Sequence, residues 1–134
     1  MQTLVLKKSA ILAALYTILL FAVSSLAIQS GSVLAASTAS RKIIQNLLHI
    51  PAYAILAILW MRSFDYKKIA LYKALIITAF VIFLFSVITE AYQVLIPERD
   101  ASLGDLGLNI MGCLIGLVGF SIHKSHKRNS KQLK

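Results

Sequence analysis

A chain of 134 residues with 58% hydrophobic and only 14% charged side chains cannot cover itself with polar surface; soluble domains carry about 25% charged residues. Mean hydropathy is +0.78. Four membrane spans of ~20 residues would use about 80 and leave about 54 for loops and tails, which excludes a separate soluble catalytic domain. The net charge of +9 is therefore read first as a topology signal.

Four apolar stretches are predicted as helices, at 9–28, 43–61, 69–89 and 106–122, each 17–21 residues long. Backbone polar groups in lipid must be satisfied within the segment, so spans of this length are helices. The expected fold is an all-α, four-helix integral membrane protein forming one domain over 1–134.

The first stretch carries no charge, and Lys7 and Lys8 precede it. With Val33-Leu34-Ala35 beyond, it mimics a signal peptide. Its apolar core of ~20 residues exceeds the usual ~7–15, so a retained helix is expected. The second stretch is interrupted by His49 and Pro51. Proline lacks an N–H, so the chain here is expected to bend or to begin a helix. Tyr53 lies one turn on, on the same face as His49.

The third stretch closes on Glu90 and Gln93, three residues apart and hence neighbours on one face. A carboxylate at a helix C-terminus opposes the dipole, which suggests a compensating partner or a task. His49 and Arg99 are the candidate partners. The following loop contains Pro97, Glu98, Arg99 and Asp100. Arg99 offers a planar fork suited to carboxylate or phosphate.

The fourth stretch opens with Asp105 and Asn109, one turn apart. Ser102-x-x-Asp105 has the spacing of a helix-start arrangement. Asn109 sits in an apolar run, where an amide needs partners, and shares a face with Gly112 and Gly116, a spacing that lets another helix approach closely. Asn109 is thus expected to bond across the bundle. The lone cysteine, Cys113, excludes an intramolecular disulfide and a cysteine-based zinc site, and reads as a small packing residue. His123 and His126 have metal-like spacing with nothing to complete a site. No metal or cofactor is expected.

With the N-terminus cytoplasmic, 11 of the 14 basic residues fall inside, leaving Arg41, Lys42 and Arg99 outside. Four of the five acidic residues fall at the outer face, with Asp65 inside. The expected topology is both termini cytoplasmic in a bacterial plasma membrane. The basic tail at 123–134 is expected to meet anionic lipid headgroups rather than nucleic acid.

The segments Leu48-His49-Ile50-Pro51-Ala52-Tyr53, Thr89-Glu90-Ala91-Tyr92-Gln93, Pro97-Glu98-Arg99 and Asp105-x-x-x-Asn109-x-x-Gly112-x-x-x-Gly116 resemble, in order and spacing, the motifs of the VanZ-like family of small multipass bacterial membrane proteins. The sequence departs from the family pattern at Gln45 and Asn46, where many members have an Asp-Lys pair, and at Glu98, where a glycine is usual. The resemblance implies four helices, a role in the cell envelope and the family's link to glycopeptide (teicoplanin) resistance.

Three functions stay open. In the first, Gln93, Arg99 and Asn109 bind a lipid-linked or glycopeptide envelope ligand at the outer leaflet. In the second, an intramembrane enzyme acts on a lipid-linked precursor, with His49 or Glu90 as general base and Asp105 beside a divalent cation. In the third, the polar cluster only locks the helices of an accessory subunit.

Overall fold

The computed structural model describes residues 2–25, 38–95 and 103–132. All of the secondary structure in them is helical: α1 (Gln2–Ser25), α2 (Thr38–Arg62), α3 (Leu71–Gln93) and α4 (Leu103–Gln132). The helices overrun the apolar stretches because the backbone ladder does not need apolar side chains, only residues compatible with helix. Thus α1 takes in Lys7 and Lys8, and α4 runs on through the basic segment that the sequence suggests as a tail.

Among the described residues, three helices are long and apolar enough to cross a membrane, with spans at Leu4–Ser24, Leu71–Gln93 and Leu103–Ser130. The apolar part of α2 is shorter, Leu47–Arg62. At 1.5 Å per residue it rises about 24 Å, less than the ~30 Å hydrocarbon core. Its preceding turns carry Thr38, Ser40, Arg41, Lys42, Gln45 and Asn46. Pro51 lies inside α2, thirteen residues from its start, so it does not open the helix.

α2 touches all three other helices and has its most extensive interface with α4. α3 lies against α1, α2 and α4, while α1 and α4 do not meet. The bundle is therefore an α2–α3 pair flanked by α1 and α4. Its core contains Tyr53, Leu56, Ala57 and Met61 from α2, Ala74 and Ile82 from α3, and Cys113 and Leu117 from α4. Cys113 is a buried free thiol within this packing.

Two glycines set how closely α4 approaches α2. A Cβ on Gly112 would collide with the Ile50 carbonyl oxygen, and one on Gly116 with that of Ala54. Backbone lies in the way at both positions, so no side-chain adjustment could relieve the clash. α1 is attached more loosely. Tyr16 donates to the Ala52 carbonyl at 3.3 Å, and the Trp60 indole donates to Thr17 Oγ1 at 3.3 Å. Most large apolar side chains on α1 face outward, as lipid contact requires.

The antiparallel order sorts the charges by end. Lys7, Lys8, Arg62, Lys67, Lys68, Lys73, Lys124, Lys127 and Arg128 gather at one end with Asp65. Asp65 organises the turn between α2 and α3 there: its Oδ1 accepts from the Lys67 N–H at 3.1 Å, and its carbonyl accepts from Lys68 and Ile69. The opposite end brings together the start of the apolar part of α2, the close of α3 and the opening of α4.

Candidate functional site

α3 builds one wall of this opposite end. Its buried stripe runs Ala74, Thr78, Ile82, Ser86, Thr89, Glu90, Gln93, at three- and four-residue spacing. The stripe is small or apolar at first and wholly polar from Ser86 onward. Gln93 is 3% exposed and Glu90 is 8% exposed. Both side chains thus enter the bundle rather than the surroundings. Gln93 Nε2 donates to the Ser24 carbonyl at 3.4 Å, tying α3 to the end of α1. Beside it, Phe21 and Tyr92 pack with ring centroids 5.2 Å apart.

α4 supplies the centre. Asn109 is 1% exposed and bonds in two directions. Its Nδ2 donates to Ser86 Oγ on α3 at 2.7 Å. Its Oδ1 accepts from His49 Nδ1 on α2 at 2.7 Å. Three helices are joined through one amide. An amide oxygen can only accept, so His49 carries its proton on Nδ1. When the imidazole is neutral, Nε2 is left as a lone-pair acceptor. No described residue takes up that nitrogen. The Tyr53 ring lies 6.3 Å from the His49 ring, inclined at 21°, and 6.1 Å from Phe85. The Tyr53 hydroxyl sits beside those of Ser86 and Thr89 and in the field of the Glu90 carboxylate.

Asp105 is the third residue of α4 and its only first-turn acid, where the helix dipole favours a negative charge. One turn before Asn109, it lies toward the end of the bundle. Its Oδ1 is buried and has no hydrogen-bond donor among the described residues. Leaving a buried acceptor unmet costs about 1–3 kcal/mol, more when it is charged.

The structure thus brings His49, Glu90, Gln93, Asp105 and Asn109 to one end of three helices. His49, one of the two candidate partners of Glu90, gives its Nδ1–H to Asn109. The reason is helix rotation: Asn109 faces His49 and Ser86, and Glu90 lies one turn beyond Ser86. Arg99, with Pro97, Glu98, Asp100 and Ser102, lies outside the described residues. Gly112 and Gly116 sit below the site, in the α2–α4 contact. Sequence reasoning missed Ser86 as a member of the cluster. Its signal was present: a hydroxyl in a run of bulky apolar residues, four before Glu90 and seven before Gln93.

Chemically, this end is rich in acceptors: His49 Nε2, the carboxylates of Glu90 and Asp105, and the Gln93 amide oxygen. Such a set suits hydroxyl, amide or ammonium donors. Among the described residues no three His, Cys, Asp or Glu side chains cluster in the manner of a metal site.

Comparison with known proteins finds a match to the VanZ/LLP1 family model over residues 3–124, nearly the whole chain. No curated protein and no solved structure matches.

Proposed function

We propose, for a chain that belongs to the VanZ/LLP1 family, that the polar end of the bundle binds a lipid-linked or glycopeptide ligand of the cell envelope. The observation that carries this reading is the buried Asp105 Oδ1, which has no hydrogen-bond donor among the described residues, at the same end of the bundle as a His49 held at Nδ1 by Asn109. A cluster that served only to lock helices would spend this acceptor within the protein. Sugar hydroxyls and peptide amides of such a ligand are the matching donors. Arg99, on the connection between α3 and α4 by sequence, supplies the cation for the ligand's phosphate or carboxylate. The acyl portion of a lipid-linked ligand would remain in the surrounding bilayer.

The charge sorting supports an orientation in which the basic end is cytoplasmic and the site faces the outer leaflet of a bacterial plasma membrane, with both termini inside. In this multi-pass arrangement α2 is the fourth span, its short apolar part completed by its neighbours. Handling of an envelope precursor or glycopeptide is also the route by which the protein would bear on teicoplanin resistance.

A second reading follows from the fixed imidazole. A neutral His49 with its Nδ1–H held by Asn109 is prepared to accept a proton at Nε2, as a general base must. In that reading the ligand is the substrate of an intramembrane enzyme.

The test is quantitative analysis of lipids that co-purify with the protein and with Arg99→Ala. Enrichment of an anionic envelope lipid on the wild type, lost in the variant, supports binding. Equal lipid on both, with equal membrane accumulation, favours an accessory role in which the cluster only joins helices. A reporter fused after Lys134 should be active only in the cytoplasm; activity outside overturns the orientation.

A further inference from the structure

The opposite, basic end holds a feature that this function does not use. A cleft of about 450 Å³ opens between the last turns of α2 and the C-terminal part of α4. Its lining includes Arg62, His123, Lys124 and Lys127, with no carboxylate, over an apolar floor that includes Ile58, Gly119 and Phe120. The acid of the neighbouring turn, Asp65, has an oxygen engaged with the Lys67 N–H.

Two details of the cleft point to a ligand. Tyr66 is fixed by its hydroxyl, which donates to the Met61 carbonyl at 2.6 Å, and its ring stacks on Phe120 at 6.1 Å. The Lys124 ammonium lies over that ring. The ammonium is buried and has no hydrogen-bond acceptor among the described residues, so its donors are unspent. Gly119 is the second detail. Gly112 and Gly116 are required by the α2 backbone, whereas a Cβ on Gly119 would meet nothing. Helix packing therefore does not explain a residue that weakens the helix relative to alanine. At Gly119 the missing side chain keeps the cleft floor open.

We propose that this cleft is a second binding site, for the headgroup of an anionic phospholipid. Its phosphate is held by Arg62, Lys124 and Lys127, and an acyl chain runs over Gly119 and Phe120. Cationic walls above an apolar floor match an amphiphile better than a free anion. Arginine and lysine donors give charge-assisted bonds to phosphate oxygens.

The experiment uses the full-length protein in phosphatidylcholine nanodiscs doped with phosphatidylglycerol, with bound lipid counted by native mass spectrometry. The first variant is Arg62→Gln/Lys127→Gln. The control is Lys8→Gln/Lys73→Gln, which removes the same charge from exposed positions at the same end. Gly119→Leu blocks the floor without altering charge. The proposal expects at least a tenfold loss of phosphatidylglycerol retention for the cleft pair and for Gly119→Leu. It expects less than a twofold loss for the control. Inorganic phosphate in the millimolar range should not displace the lipid. Equal losses in both charge pairs would reduce the effect to diffuse attraction and overturn the site. Retention of phosphatidylcholine as strong as that of phosphatidylglycerol, or full retention by Gly119→Leu, would also overturn it. Displacement by inorganic phosphate would overturn the lipid as occupant. Should the cleft pair not fold, Gly119→Leu decides alone, since its side chain enters open space.

Discussion

Asn109→Leu is the sharpest perturbation of the polar end. Leucine keeps the branching and heavy-atom count of asparagine but is bulkier, so at this buried position an overpacking cost adds to the lost bonds. What is lost is the pair of 2.7 Å bonds to His49 and Ser86. Interhelical hydrogen bonds in membranes average about 0.6 kcal/mol and reach about 1.7. The two losses are unequal. Ser86 can turn its hydroxyl onto its own helix, as Thr89 does with the Phe85 carbonyl at 2.8 Å. His49 has no such recourse and loses the acceptor that fixes its tautomer. We therefore expect a destabilisation of at least about 1–2 kcal/mol, a factor of about 5–30 or more in the folded ratio. Reversible unfolding in mixed detergent micelles measures it, with the exposed Asn129→Leu as control. Nitrogen NMR of His49 provides a second readout, with the Nδ1–H tautomer dominant in wild type and the Nε2–H tautomer rising in the variant. A loss no larger than about 0.5 kcal/mol, the range of an ordinary surface change, with an unchanged tautomer would refute the three-helix junction.

Two further outcomes are expected. Gly116→Val forces Cβ into the Ala54 carbonyl and should cost at least about 1–3 kcal/mol, while Gly119→Ala should be neutral or stabilising by up to about 1 kcal/mol; equal effects in an unfolding assay would contradict the close α2–α4 contact. Replacing Gln93 by leucine removes its bond to the Ser24 carbonyl and should loosen α1, read as faster proteolysis after α1 with α2–α4 intact; unchanged proteolysis would show that α1 is held by its contacts with α2.

Hydropathy made the four helices legible, because a chain with so little charge must place apolar runs in lipid. The helix ends were not legible, since charged residues such as Lys7 and Lys124 prolong a helix as readily as they border one. The third and fourth helices show the same contrast within the site. Glu90, Gln93 and Asn109 stood out as polar residues in or beside apolar runs, which placed them at one end. Their partners depended on the rotation of each helix about its axis. No spacing within α3 could tell whether Asn109 would meet Glu90 or Ser86. Likewise Gly112, Gly116 and Gly119 look alike in sequence, and only the facing backbone separates packing glycines from one that leaves open space.

The polar end is read as holding a ligand at Asp105, whose buried Oδ1 has no hydrogen-bond donor among the described residues. Native mass spectrometry of the protein released straight from its membrane tests this, comparing wild type with Asp105→Asn. Wild type should carry an additional mass belonging to an envelope lipid or glycopeptide, and Asp105→Asn should lose it while remaining folded. An identical adduct on both proteins, or none on either, would contradict the claim.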